Sequence, residues 1–196
     1  MFEEMPVRAN LRNPKMVGPF TDPAGYDRHT GLFHKLYGRV VADAARAGLP
    51  DAARVLDAGT GPGRIPRALA AEHPQWSVDA VDLDPGMIAY AQGRDPGGRV
   101  RFAVGDVVDL PYPDGTFDLV VSSMSQHHWT DVEGALRSLR RVLRPGGRLW
   151  IYDVRFVLRR AGRAARISFG SDAVRVEPVP TGHLPLTLYA RLSARA

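Results

Sequence analysis

The chain has no cysteine. Disulfide bridges, thiolate-ligated zinc, iron–sulfur clusters and a cysteine nucleophile are thereby excluded. No apolar run approaches the roughly 18 residues of a membrane span, so no membrane partner is expected. Residues Met1-Phe2-Glu3-Glu4 are acidic and lack the basic-then-apolar pattern of a secretion signal. The expected location is the cytoplasm. Internal repeats and low-complexity tracts are missing too. The 196 residues are 44% hydrophobic and 24% charged, which is ordinary for a soluble globular protein. That length suits one domain and a sizeable core.

Acidic residues are scarce towards the C-terminus. Residues 155–196 hold Asp172 and Glu177 against eight arginines, so 8 − 2 = +6. The whole chain carries a formal +5, so the remainder is 5 − 6 = −1. Arg155, Arg159, Arg160, Arg163 and Arg166 crowd one segment. They read as a surface for nucleic acid or an acidic partner. They also read as a solvated helix face, since alanine, arginine and glycine abound along the whole chain.

Residues 1–25 are rich in proline and glycine, show no period, and predict an extended arm; residues 26–196 read as a single domain. Phe33, Leu36, Tyr37, Val40, Val41 and Ala44 recur at three and four, predicting one helix from Tyr26 to Gly48. Strands and helices then alternate. Strands are expected at Val55-Leu56, Ser77–Val81, Val100–Val104, Phe117–Val121 and Leu149–Val154. Helices are expected at Ile65–Ala71, at Pro85–Gln92 with Asp84 as N-cap, and after Thr130-Asp131-Val132-Glu133, which has the form of a capping box. A short basic helix over about 156–166 precedes two alternating stretches, Ala173–Val179 and Leu184–Leu192. Pro180-Thr181-Gly182-His183 joins these as a hairpin. The fold class is α/β: a doubly wound, mostly parallel, Rossmann-like sheet with an antiparallel C-terminal hairpin and helices on both faces.

Ligands of such sheets sit beyond the carboxyl ends of the strands. Polar groups gather there. Asp57 follows the first strand, Asp82 the second, Asp106 the third, and Ser122-Ser123 the fourth. The first strand runs into Asp57-Ala58-Gly59-Thr60-Gly61-Pro62-Gly63. Its glycines allow a sharp turn and close approach of a ligand to the backbone. No Lys-Ser/Thr pair closes the loop, so it is not a P-loop. The third glycine falls one residue early for the dinucleotide fingerprint, and Asp57 would repel a pyrophosphate. The loop suits a ligand bearing amine, hydroxyl or sulfonium groups.

Four motifs in register carry a family resemblance: Val55-Leu56-Asp57-Ala58-Gly59-Thr60-Gly61-Pro62-Gly63, then Val81-Asp82-Leu83-Asp84-Pro85-Gly86-Met87, then Gly105-Asp106-Val107 with Leu110 to Asp118, then Leu143-Arg144-Pro145-Gly146-Gly147-Arg148-Leu149. Over roughly residues 54–154 the chain resembles class I S-adenosylmethionine-dependent methyltransferases of the small-molecule type. The resemblance implies a seven-stranded sheet with an antiparallel last strand and S-adenosyl-L-methionine as cofactor. It implies that Asp82 accepts from the ribose hydroxyls, and that Asp106 accepts from the adenine amino group while the Val107 N–H donates to the ring. Gly59 and Gly61 would lie along the methionine and ribose, with Asp57 near the ammonium. Thr60, Leu83 and Ser123 complete the cofactor-binding set. Each of the three acids also reads as an N-cap or turn residue.

Ser125-Gln126-His127-His128-Trp129 lies where the family lines its acceptor pocket. His128, and after it His127, is a candidate general base; both also read as packing residues. Tyr26, Arg28 and His29 are candidates for a lid. The leading expectation is methyl transfer to an O, N or C nucleophile of a small molecule. An RNA or protein methyltransferase using the basic C-terminal surface, and a catalytically silent S-adenosylmethionine-binding protein, stay open as alternatives. No Asn-Pro-Pro-Tyr-type tetrapeptide follows strand four, which disfavours methylation of exocyclic base amines.

Overall fold

The computed structural model describes residues 22–181 and 188–196. Most of the expected arm, and residues 182–187 of the expected hairpin, lie outside that range. Proline suits a first helical turn because its missing N–H has no partner there anyway, and Pro23 opens α1 (Pro23–Thr30). Residues 23–25 are therefore helical, not extended. A 3₁₀ turn over Gly31–Phe33 leads into α2 (His34–Ala45), so the stripe from Tyr26 to Gly48 is two helices. One tight turn shifts the apolar phase by only about half a residue, and the spacing conceals the junction.

Strand and helix then alternate: β1 (Arg54–Ala58), α3 (Arg64–Glu72), β2 (Ser77–Asp82), α4 (Pro85–Gly93), β3 (Val100–Val104), β4 (Phe117–Ser123), α5 (Val132–Val142), β5 (Leu143–Val154), α6 (Leu158–Phe169), β6 (Arg175–Val179) and β7 (Tyr189–Arg195). The Asp84 carboxylate caps α4, accepting from the Gly86 N–H at 2.7 Å. At α5 the cap is Asp131 rather than Thr130. Its carboxylate accepts from the Gly134 N–H at 2.8 Å, and a charge there also meets the positive end of the helix dipole.

Among the described residues all seven strands form one sheet in the order β3-β2-β1-β4-β5-β7-β6. Strands β1 to β5 pair in parallel. Strand β7 runs antiparallel to both neighbours and lies between β5 and β6. The doubly wound α/β class and its antiparallel end are as the pattern predicts. Strand β5 starts earlier than predicted. Leu143 pairs with Phe117 across a register irregularity, and the Gly146 N–H donates to the Ala196 carbonyl at 2.7 Å. Helix α5 thus stops at Val142, and Pro145-Gly146-Gly147 lie within β5, where pairing with β4 resumes at Arg148.

The period of two sorts each strand between two cores. Val55, Leu119, Val121 and Tyr152 face Leu36, Val40, Ile65 and Leu69 of α2 and α3. Leu56, Val120, Leu149 and Ile151 face Leu136, Leu139, Leu158 and Phe169 of α5 and α6. Both faces are buried, as parallel sheets require. The carboxyl ends of β1, β2, β4 and β5 are left along one rim.

Candidate active site

Asp57 lies inside β1, one residue before its end, and three left-handed glycines follow. Gly59, Gly61 and Gly63 have φ of +75°, +52° and +71°. The Gly59 and Thr60 N–H groups both donate to the Val81 carbonyl at 2.9 Å, which ties the loop to β2. The Gly61 N–H donates to Asp82 Oδ2 at 2.7 Å, and the Asp84 N–H to Asp82 Oδ1 at 3.0 Å. A Cβ on Gly59 would stand 1.9 Å from Ser125 Oγ, and one on Gly63 2.8 Å from the Phe102 ring. At Gly61 it would meet only Tyr26, at an ordinary 3.6 Å. Backbone conformation alone therefore calls for glycine at 61, and close packing adds to it at 59 and 63.

Asp57 is buried. Thr60 Oγ1 donates to its Oδ2 at 2.7 Å, while Oδ1 has no hydrogen-bond partner among the described residues. Burial pushes the carboxyl up to about 7; the Thr60 bond opposes this and the Asp82 charge adds to it. Asp82 is also pushed up by burial, against the N–H groups of Asp84 and Gly61. A carboxylate offers about four lone-pair sites, and the two backbone donors leave two. Asp106 is exposed, and its Oδ1 accepts from the Val108 N–H at 2.9 Å. Val107 packs at the edge of the α5–α6 core, and Leu83 is half-buried behind Asp82. Ser123 Oγ is buried without a partner among the described residues, as are Ser122 Oγ and Gln126 Oε1.

Beyond β4 the chain turns at Met124, whose φ of +54° is the only positive value outside glycine among the described residues. Such conformations persist only where surrounding contacts hold them; here the Met124 N–H donates to the Tyr152 carbonyl at 2.8 Å. Ser125 then occupies the space beside Gly59 and accepts from Trp129 Nε1 at 3.2 Å. Gln126–His128 form a 3₁₀ turn. His127 Nδ1 lies 3.0 and 2.9 Å from the two Asp153 oxygens. The His127 N–H donates to the same carboxylate at 3.2 Å, and the Val154 N–H at 2.7 Å. Asp153 is completely buried, whereas the His127 side chain is 31% exposed. The His128 ring sits 4.0 Å from that of His127. Burial, then the His127 charge, pushes its pKa down, with Asp153 opposing. It is His127, placed second by the sequence, that the structure joins to a carboxylate. Asp153 itself was missed. It closes an apolar strand with an acid, as Asp57 and Asp82 do, and that signal was available.

Helix α1 packs over the glycine loop. Asp27 accepts from Arg64 Nε at the start of α3 and from the Tyr90 hydroxyl of α4 at 3.0 Å. Tyr26 lies against Gly61. Burial raises its phenol, and Asp82 and Asp153 add to the rise. Arg28 and His29 are exposed, and among the described residues Arg28 pairs with Asp22, at 3.7 Å. The arginines of the basic segment are exposed along α6 and just before it. None of Arg155, Arg159, Arg160 and Arg163 has an ion pair among the described residues.

Residues 56–151 match the family described as methyltransferase domain. Over that stretch the chain is similar to S-adenosylmethionine-dependent methyltransferases. It is 39% identical over 102 residues to the demethylmenaquinone methyltransferase of Thermus thermophilus, covering 51% of this chain and 46% of that one. It is 35% identical over 143 residues to the malonyl-[acyl-carrier protein] O-methyltransferase of Hahella chejuensis, covering 72% of this chain and 50% of that one. The chain spans about half the length of the curated relatives it matches. Its fold is that of a crystal structure of an S-adenosylmethionine-dependent methyltransferase from Aquifex aeolicus. The TM-score is 0.65 at 21% identity, covering 89% of this chain and 98% of that one.

The residues present fit the family's cofactor. A buried carboxylate oxygen at Asp57, without a partner among the described residues, suits an ammonium. Two remaining acceptor sites on Asp82 suit a diol, and the glycines leave the backbone open to close approach. No helix among the described residues is long and apolar enough to cross a membrane.

Proposed function

We propose that this protein moves a methyl group from S-adenosylmethionine to an oxygen, nitrogen or carbon nucleophile of a small molecule. The observation that carries the reading is the Gly61 N–H bond to Asp82 beside Asp57 Oδ1, buried with no hydrogen-bond partner among the described residues. S-adenosylmethionine supplies a methyl group already activated on sulfur. Asp82 takes the ribose hydroxyls in charge-assisted bonds, which are the strong kind. Asp57 takes the ammonium, directly or through water. Gly59, Thr60 and Gly61 lie along the methionine and ribose. Asp106 accepts from the adenine amino group, the Val107 N–H donates to the ring, and Leu83 and Ser123 line the same site.

The remaining work is alignment and exclusion of water, and proximity can supply most of such an acceleration. The names of the relatives, acting on demethylmenaquinone and on a malonyl group held by a carrier protein, support a small acceptor. A cytoplasmic location goes with this reading. Calorimetry with S-adenosylhomocysteine tests it. Asp82→Ala should weaken binding by about 1.5–3 kcal/mol, the usual worth of a hydrogen bond to a charged group. Unchanged affinity in that variant removes the ribose assignment, and a parent protein that binds nothing overturns the whole reading.

A further inference from the structure

We infer that the outer face of α6 docks on an anionic lipid membrane, with arginines against the phosphate headgroups and apolar side chains inserted between them. The inference does not rest on the methyltransferase reading.

Two kinds of side chain meet on this face. Arg159, Arg160, Arg163 and Arg166 of α6, and Arg155 just before it, are exposed. None has an ion pair among the described residues. Four large apolar side chains are exposed among the described residues: Phe156, Ile167, Val176 and Leu188. All four lie on α6 or against it. Phe156 stands in the turn that leads into α6, and Ile167 in its last turn. A Cβ on Gly162 of α6 would meet Val176 Cγ2 at 3.4 Å. The Leu188 carbonyl accepts from the Arg155 N–H at 2.9 Å. Single exposed apolar side chains are ordinary on a surface; their confinement to one basic helix and its borders is not.

The face has the layout of a helix that lies on a bilayer. Val157 has helical φ and ψ of −64° and −41°. The Arg159 N–H donates to the Phe156 carbonyl at 3.4 Å, so the winding reaches back to Phe156. Phe156 and Ile167 are 167 − 156 = 11 residues apart, about three turns, which sets them in one line about 16 Å long. Arg163 falls in that line, with Arg159 and Arg166 to one side and Arg160 to the other. Such a helix sinks its apolar side chains about 5–10 Å into the headgroup boundary, and long basic side chains reach the phosphates. Leu158, Ala161, Ala165 and Phe169 on the opposite face are already in the core, so docking needs no unfolding. Beside this face a groove of about 680 Å³ lies between α5 and α6. Arg137 and Arg140 line it together with Leu143 and Ile167. Phosphate against the two arginines, and methylenes against the two apolar side chains, would seat one headgroup there.

Other occupants fit less well. A second copy would set arginines against arginines. Nucleic acid would use the arginines and leave Ile167, Val176 and Leu188 in water. A protein interface buries its apolar side chains in a packed centre, whereas Phe156 and Ile167 stand 71% and 82% exposed along the crest of one helix. A bilayer takes protruding side chains one by one. No helix among the described residues could cross a membrane, and a docked face needs no span.

Sedimentation of the full chain with vesicles tests this. It should bind vesicles containing about 30% phosphatidylglycerol and stay in solution with phosphatidylcholine alone. Partition should fall at least roughly tenfold between about 0.1 and 0.5 M salt. An arginine near an anionic surface is worth about fivefold, so Arg159→Gln, Arg160→Gln and Arg163→Gln together should lose about 100-fold. Phe156→Ser with Ile167→Ser should lose roughly tenfold or more at low salt. All these positions are exposed, and urea midpoints, which should match the parent's, separate lost docking from lost folding. Phe156→Trp reads insertion directly: its added fluorescence should shift to the blue with anionic vesicles and be quenched by brominated acyl chains. No binding to anionic vesicles, undiminished partition in either multiple variant, or unquenched fluorescence in Phe156→Trp overturns the membrane face. A parent that passes over anionic vesicles and binds RNA or polyglutamate overturns the lipid in favour of that polyanion.

Discussion

If Asp57 receives the ammonium of the cofactor, binding must carry a proton signature. Burial holds this carboxyl at about 7 instead of its ordinary 3.8. One unit is worth about 1.36 kcal/mol, so ionising Asp57 in the free protein costs about 4 kcal/mol more than in water. An ammonium beside it reverses that preference. Below about pH 7.5 an α-amino group stays protonated, so between pH 5 and 7 the change lies in the protein. S-adenosylhomocysteine affinity should rise roughly tenfold per pH unit from pH 5 and flatten above about 7.

Calorimetry in two buffers of different ionisation enthalpy should show about one proton released at pH 6 and almost none at pH 8. Asp57→Asn should bind more weakly at pH 8 and lose the slope. Stability of the free protein runs the opposite way. A carboxyl raised in the folded state contributes stability below its unfolded pKa. That stability is lost as pH rises through about 7, and Asp57→Asn should lack this fall. A slope that survives in Asp57→Asn belongs to Asp82 or a histidine, and a parent with no slope refutes an ammonium at Asp57.

The loop glycines should separate in urea unfolding. Gly61→Ala has only its φ of +52° to accommodate, at about 1–2 kcal/mol. Gly59→Ala adds overlap with Ser125 Oγ and should lose about 1 kcal/mol more or beyond; equal losses refute the packing argument. Asp27→Ala removes the Arg64 and Tyr90 contacts of α1. It should speed S-adenosylhomocysteine dissociation by roughly tenfold or more, the equivalent of one charge-assisted bond, and speed proteolysis within residues 22–33. Unchanged rates would show that α1 does not cover the site.

The cofactor loop was legible because its requirements are local. Gly59, Gly61 and Gly63 announce left-handed backbone, and Asp57 and Asp82 each close an apolar run. Pro85 after Asp84 marks the start of α4 in the same way. The His127–Asp153 pair was not legible, because 26 residues separate its members. They meet only because β4 and β5 are neighbours, and adjacency is a tertiary choice that no local period records. Asp27 had no signal at all: within α1 it is one polar residue among several, and its role depends on where α3 and α4 begin. The early start of β5 was not legible either, since Leu143 pairs with Phe117 across a register irregularity and the pairing with β4 resumes only at Arg148.

The place of β7 between β5 and β6 has a consequence for synthesis. Strand β6 pairs with β7 alone. Residues 175–179 therefore leave the ribosome before anything exists for them to pair with, and β5 waits with one edge bare. Bare strand edges recruit other chains, and nascent domains are most exposed to this while incomplete. Completion of the sheet is thus coupled to the arrival of residues 189–195. A nascent chain stalled before them would hold the cofactor loop and both histidines, yet lack two of its seven strands.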